Sequence, residues 1–367
     1  MQSAITAIGL ATPPYKRSQH EIAELICNGF EMTSAERRLV KAIYKSCGIE
    51  QRHSVLSDYC KSSGEFEFFP NAFNEPLPST AKRMRIYKEH ALKLALSAIE
   101  QCLQQIKSFN KQDISHVITV SCTGMYAPGL DIEIVQELGL NSTSRRTAIN
   151  FMGCYGAFNA LKIADSICQS NENASVLIVC VEICTIHFQK NQETKNIISN
   201  AIFADGAAAA LIQRKQGNNS LQLEAFHCDL MPQTKQEMAW HIADFGFDID
   251  LSVYVPDVIR SGISVFVNNL LNKANSSFHD IDYYAIHPGG IKILQACEQA
   301  LNITEKDNEH SYAVLREFGN MSSSTILFVL KRLWECLSNK DNQKTIFSCA
   351  FGPGLTLESM LLRVSYC

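Results

Sequence analysis

Three corners of the 367-residue chain carry side chains that could do chemistry together. Asn150-Phe151-Met152-Gly153-Cys154-Tyr155-Gly156-Ala157 sets a cysteine between glycines. Ile281-Asp282-Tyr283-Tyr284-Ala285-Ile286 reads as a strand that ends at His287, where Pro288-Gly289-Gly290 turns the chain. Phe318-Gly319-Asn320-Met321-Ser322-Ser323-Ser324 presents an asparagine after a glycine. Cys154 falls at or just before the predicted start of a helix, where the partial positive charge favours a thiolate. A thiolate attacks acyl thioesters and can hold the acyl group covalently. His287, as imidazolium, would keep that thiolate ionised near neutral pH. Asn320 cannot transfer protons, but its amide N–H can donate to an oxyanion. The set fits two chemistries. One is amide hydrolysis. The other is acyl transfer coupled to carbon–carbon bond formation, with His287 and Asn320 holding the carbonyl of a malonyl thioester as it loses CO2. The second needs donors and no strong carboxylate nearby, and neither corner carries an acid in its immediate motif.

These corners need a scaffold of strands and helices. The first residues read as a strand that Thr12-Pro13-Pro14 ends. Ser18…Glu21 and Thr33…Glu36 have capping-box spacing and open two helices. The second carries Arg37, Arg38, Lys41 and Lys45, a solvated basic face or a clamp for phosphates. Residues 57–78 read as an irregular loop. Met84, Tyr87, Ala91, Leu94, Ala98 and Cys102 recur at helical spacing. Buried strands follow at His116–Val120 and Ala174–Val181, with a helix over Tyr155–Cys168 between them. Phe351-Gly352-Pro353-Gly354 is a turn whose backbone, Gly352 and Pro353, could wall a pocket. The order recurs: Asp113-Ile114 and Asp280-Ile281 each precede a strand, then a glycine corner, a helix and another strand. That repetition suggests an internal duplication in a layered α/β architecture.

Composition narrows the class. No apolar run is long enough for a membrane span, and the net charge of −4 gives no footprint for nucleic acid. The apolar N-terminus lacks the basic region of a signal peptide. Fourteen cysteines are present. Cys168, Cys180, Cys184 and Cys349 sit in apolar stretches, as buried thiols do. No Cys/His spacing suggests a metal site. A reduced, cytoplasmic protein is the expectation.

Taken together, five motifs resemble the type III polyketide synthases, the chalcone-synthase-like family, over effectively the whole chain. They are Phe151-Met152-Gly153-Cys154, Ile202-Phe203-Ala204-Asp205-Gly206-Ala207, His287-Pro288-Gly289-Gly290, Gly319-Asn320-Met321-Ser322-Ser323 and Phe351-Gly352-Pro353-Gly354. The resemblance implies a thiolase-type αβαβα five-layered sandwich from two related halves, 1–220 and 221–367, in a homodimer. It implies Cys154 as acyl acceptor, His287 and Asn320 as the pair that decarboxylates malonyl-CoA, and Phe203 as gatekeeper between CoA tunnel and cavity. Ser322 matches a tunnel position. Arg38, Lys41 and Lys45 fall near the CoA-phosphate contacts. No cofactor is implied, since CoA thioesters are the substrates. Departures from the plant pattern lie where specificity is set. Ile249 replaces a second gatekeeper Phe, Trp240 a glycine, and Cys122 and His187 two pocket threonines. Ala127 replaces a methionine that reaches across the dimer. Met238-Ala239-Trp240 and Tyr254-Val255-Pro256 look bacterial, which points toward fatty acyl starters and against chalcone synthase itself. Alternatives are a single-turn β-ketoacyl-ACP synthase III, a cysteine hydrolase, and a catalytically silent thiolase-fold scaffold.

Overall fold

The computed structural model describes residues 2–366 apart from 31, 63, 73–74, 191–192, 215–218, 232–233, 235–236 and 253. Its strands are β1 (Ala4–Ala11), β2 (Tyr15–Ser18), β3 (Gln51–Ser54), β4 (His116–Ser121), β5 (Arg145–Asn150), β6 (Val176–Ile183), β7 (Asp205–Gln213), β8 (Ser220–Leu230), β9 (Met238–Ala243), β10 (Gly246–Leu251), β11 (Tyr283–Ile286), β12 (Thr345–Gly352) and β13 (Thr356–Ser365). Its helices are α1 (Gln19–Gly29), α2 (Ser34–Ser46), α3 (Thr80–Leu103), α4 (Leu130–Glu137), α5 (Gly156–Ser170), α6 (Thr194–Ile202), α7 (Val255–Lys273), α8 (Ile291–Leu301), α9 (Glu309–Phe318) and α10 (Thr325–Cys336).

Local signals place most of these elements. Both capping boxes form, at Ser18/Glu21 before α1 and at Thr33/Glu36 before α2. Tyr87, Ala91, Leu94, Ala98 and Cys102 line the buried face of α3. The loop expected over 57–78 holds one short 3₁₀ turn, Ser57–Cys60. Buried Asp58 ties it down by accepting the backbone N–H groups of Glu67, Phe68 and Phe69.

Among the described residues, nine strands pair in the order β11-β12-β13-β8-β1-β7-β6-β4-β5. The sequence β4-β6-β7-β1 runs parallel, antiparallel, antiparallel. β11-β12-β13-β8 repeats those senses. β1 and β8 join the two arrays through only Ala4–Gln222 and Ile5–Leu221.

Strand alternation divides the interior into layers. Leu177, Val179 and Val181 of β6 face α3, while Ile178 and Cys180 face α5 and α10. On β12, Ile346 and Ala350 face that same helical layer, and Phe347, Cys349 and Phe351 face α7 and α8. The result is α3, sheet, α5 with α10, sheet, α7 with α8: a five-layered α/β sandwich. Cys168, Cys180, Cys184 and Cys349 are buried in it as small apolar side chains. No helix among the described residues is long and apolar enough to cross a membrane.

The outermost layer packs closely. A Cβ at Gly9 on β1 would lie 2.1 Å from the Ala98 carbonyl oxygen and 2.2 Å from the Cys102 nitrogen of α3. Backbone cannot yield there as a flexible side chain could. Gly9→Ala is therefore expected to cost about 2–3 kcal/mol, read as a lowered midpoint of thermal unfolding. An unchanged midpoint would show that α3 can lift off the sheet freely.

Candidate active site

β5 delivers the nucleophile corner. Phe151 and Gly153 both take left-handed backbone, at φ 59° and 78°. A 3₁₀ turn over Gly153–Tyr155 then carries Cys154 to the mouth of α5. A side chain at Gly153 would collide with Pro353, 2.3 Å from its Cδ. A side chain at Gly352 would enter the Tyr155 ring at 2.5 Å. The two glycine-rich corners therefore interlock. Pro353 lines the cavity, but Gly352 does not: it is buried against Tyr155, which corrects its expected place in the pocket wall.

His287 follows β11 directly, and its backbone N–H extends the ladder to the Cys349 carbonyl at 2.8 Å. Asn320 follows Gly319, which ends α9 at φ 74°. A main-chain bridge holds Asn320 beside Phe203: Asn320 N–H donates to the Ile202 carbonyl and Ala204 N–H to the Asn320 carbonyl, both at 2.9 Å. The Asn320 amide is oriented by its neighbours. Oδ1 accepts Ser322 N–H at 2.8 Å, and Nδ2 donates to the Gly289 carbonyl at 3.2 Å. The Cys154 sulfur lies 3.9 Å from Oδ1 and 4.0 Å from Nδ2.

Cys154, His287 and Asn320 thus line one cavity, about 1410 Å³ of empty space with its mouth. Phe203, Cys122, Trp240, Ile249 and Ser322 line it too. Its walls are mainly aliphatic, from residues such as Ile198, Ile202, Leu251 and Val255. The Trp240 indole N–H donates to the Cys122 carbonyl at 3.0 Å, which fixes the ring across the cavity. The Cys122 sulfur accepts Gly153 N–H at 2.9 Å and so braces the peptide before the nucleophile.

Two expected site features are placed elsewhere. His187 lines a smaller neighbouring cavity instead. Its Nδ1 accepts Phe247 N–H at 2.9 Å and its Nε2–H donates to the Thr123 carbonyl at 2.7 Å. Both nitrogens are used, and burial holds its pKa down at about 3. Arg38, Lys41 and Lys45 are exposed on α2 and outside the cavity lining. Ile43 and Ser46 of α2, and Cys47 just after it, line it. With about 3.6 residues per turn, the three basic residues stand roughly opposite that face. Lys41 pairs with Glu24 at 2.6 Å. Lys292, absent from the sequence reading, contributes to the cavity lining at the start of α8.

Glu182 was also missed. It is fully buried at the end of β6, behind the cavity wall. It accepts Cys122 N–H at 3.0 Å, the Thr123 hydroxyl at 2.8 Å and both N–H and O–H of Ser323. Burial raises its pKa against those donors. The expectation of no carboxylate near the thiol is therefore corrected. Its signal was an acid inside Val-Leu-Ile-Val-Cys-Val-Glu182-Ile, an otherwise apolar buried strand.

The charge states differ from a thiolate–imidazolium pair. Burial pushes the Cys154 thiol up to about 12; Ser322 and Asn320 pull it down and Glu182 pushes it further up. Burial holds His287 at about 3, and neither ring nitrogen has a hydrogen-bond partner among the described residues. The free site therefore holds a thiol and a neutral imidazole.

The fold and this enclosed site are those of a condensing acyltransferase. The chalcone and stilbene synthase N-terminal domain model matches residues 2–215 and the C-terminal domain model residues 222–365, so the chain belongs to the chalcone and stilbene synthase family of type III polyketide synthases. It is 28% identical over 368 residues to the Mycobacterium tuberculosis protein "Alpha-pyrone synthesis polyketide synthase-like Pks18", covering 99% of this chain and 91% of that one. It is 30% identical over 380 residues to "Probable polyketide synthase 1" of Dictyostelium discoideum, covering 98% of this chain but only 11% of that protein. Among solved structures it resembles the C-terminal type III domain of Dictyostelium Steely1, with TM-score 0.91, 29% identity and 99% of both chains covered. It also resembles PKS-I of the brown alga Ectocarpus siliculosus, with TM-score 0.90, 28% identity, and 99% and 98% coverage.

The raised thiol pKa has a direct kinetic consequence. Iodoacetamide alkylation of Cys154, followed on its own peptide by mass spectrometry, should rise about tenfold per pH unit between about pH 6 and 9, without a plateau. A plateau already reached by about pH 7 would reveal a preformed thiolate.

Proposed function

We propose that this protein extends an acyl-CoA starter by repeated decarboxylative condensation with malonyl-CoA and releases a cyclised pyrone or phenolic product. The observation that carries this reading is the convergence of Cys154, His287 and Asn320, from three distant segments, on one largely apolar cavity. Aliphatic walls suit an acyl chain.

Neutral His287 is suited to take the Cys154 proton as the sulfur attacks the starter thioester. The carbon–sulfur bond to CoA breaks, CoA thiolate takes that proton, and the acyl group stays on Cys154. Malonyl-CoA then loses CO2, leaving an enolate. The Asn320 Nδ2–H and one His287 N–H are the donors for its oxygen. The enolate carbon attacks the Cys154 thioester, and the sulfur leaves as thiolate and takes a proton from solvent. The chain has grown by two carbons and is back on CoA. Low polarity makes each donor stronger and strips water that would quench the enolate. The four donor groups around buried Glu182 hold its carboxylate out of the cavity lining.

The same reading carries further proposals. CoA thioesters are substrates and no metal or redox cofactor takes part. The protein acts as a cytoplasmic homodimer whose halves divide near residues 220 and 221.

The test is mass spectrometry of products from purified enzyme given malonyl-CoA and acyl-CoA starters from C2 to C16, with aromatic ones. Products two or more extensions beyond a starter are expected. A single condensation that strictly requires an acyl carrier protein would overturn the reading in favour of a β-ketoacyl-ACP synthase. Two variants separate the steps. Cys154→Ala should abolish extension yet keep malonyl-CoA decarboxylation. Asn320→Ala should cut decarboxylation about 10²-fold or more while Cys154 still acylates. The reverse pattern would show the roles to be misassigned. In Trp240→Gly the product lengths should change, and an unchanged profile would remove Trp240 from the determinants of cavity size.

A further inference from the structure

The condensing reaction makes the Cys154 sulfur anionic twice: as it attacks the starter and as it leaves the extended chain. His287 is neutral in the free site and brings no cation to it. The anion therefore depends on hydrogen-bond donors, which count for more in an apolar cavity than in water. Asn320 is one donor nearby. Its Nδ2 stands 4.0 Å from the sulfur, already donates to the Gly289 carbonyl, and is the donor for the enolate oxygen.

Ser322 is the other. It opens a 3₁₀ turn, Ser322–Ser324, and lines the cavity beside Cys154. That turn packs on the end of the nucleophile's own turn: a Cβ at Gly156 would lie 3.6 Å from the Ser323 Cβ. The three serines divide their hydroxyls. Ser323 donates to Glu182 and Ser324 to the Met321 carbonyl, and none of these four residues lines the cavity. The Ser322 hydroxyl stands within hydrogen-bond reach of the Cys154 and Cys122 sulfurs. Of the groups around Cys154 it does most to offset burial and draw the thiol pKa down.

The backbone at Ser322 is strained. Its φ is 47°, in the left-handed region, and it is the one non-glycine residue of the described cavity lining with a positive φ. The same conformation aims its N–H at Asn320 Oδ1, 2.8 Å away. Glycine would relieve the strain but would bring no hydroxyl. Strain held at a reacting site is a pointer to function.

We propose that Ser322 is a further catalytic residue, whose hydroxyl donates to the Cys154 sulfur as the thiolate forms in acyl transfer and again as that sulfur leaves in condensation. The inference rests on the condensing activity proposed above and divides its donors between two anions. Ser322 serves the sulfur; Asn320 and His287 serve the enolate oxygen. Ser322 keeps its own proton throughout. The Cys154 proton passes to His287 and on to the departing CoA thiolate, and in the second step the sulfur is protonated from solvent.

Alkylation reads the sulfur without any condensation. Iodoacetamide is added at about pH 8, and the rate on the Cys154 peptide is divided by the rate on exposed Cys60 in the same sample. Ser322→Ala removes the hydroxyl and keeps the strain. Ser322→Gly removes the hydroxyl and relieves it. Both keep the backbone N–H to Asn320. Both should lower the ratio about threefold to tenfold, because a lost donor thins the thiolate and only part of that is regained in nucleophilicity. Either change opens the cavity, so easier access would raise the ratio instead. Single-turnover acylation of Cys154 by hexanoyl-CoA should fall alongside. A ratio unchanged in both variants would overturn the assignment and leave the condensing activity standing. A fall in Ser322→Ala that Ser322→Gly restores would trace the effect to backbone strain and overturn it too. A fall in both variants of an enzyme that extends no starter would support the contact with the sulfur and overturn the condensing activity.

Discussion

The main-chain bridge between Phe203 and Asn320 is the contact on which the site depends. These residues are far apart in the chain, yet two backbone hydrogen bonds set them side by side. The bridge places the amide of Asn320 within about 4 Å of the Cys154 sulfur and the Phe203 ring in the cavity wall. Arg52 supports it from beneath by donating to the Phe203 carbonyl. Its side chain also packs where a Cβ on Gly319 would come within 3.0 Å. Only glycine permits the left-handed turn and the close approach together at that corner. Glu182 adds a second tie, joining the ends of β4 and β6 to Ser323 through four donor groups. Rigidity at the reacting atoms thus comes from backbone and buried polar contacts, which hold position more tightly than exposed loops can.

Burial decides the chemistry of the resting site. A helix start and a nearby histidine argue for a thiolate, but both effects are smaller than the desolvation of a buried sulfur. Thiol and imidazole are each moved toward their neutral forms. A neutral pair needs no counter-ion in an apolar cavity, and the imidazole is left free to accept a proton when the thioester arrives. Its nitrogens have no partner among the described residues, which leaves either one free to donate to a substrate.

Trp240 spends its polar atom on the Cys122 carbonyl, and His187 spends both of its nitrogens on backbone. Neither residue keeps a free polar group for the main cavity.

Strands β1, β4, β6 and β11, both capping boxes, the buried face of α3 and the three reactive corners are legible in the sequence, because capping, alternation and helical spacing depend on neighbours only a few residues away. The family is legible as well, since its motifs are short and ordered along the chain. The place of Gly352 against Tyr155, of His187 outside the main cavity and of the α2 cations away from its lining is not. Those depend on which face of an element meets a distant segment. Glu182 and Arg52 were overlooked because a charged residue in a strand reads as exposed until packing encloses it. By itself, then, the sequence determined which groups are available for reaction and the elements that carry them, since both are local properties. Tertiary structure alone decided which groups meet, which are already satisfied and what charge they hold, since distance across the chain and exclusion of water exist only once the layers have packed.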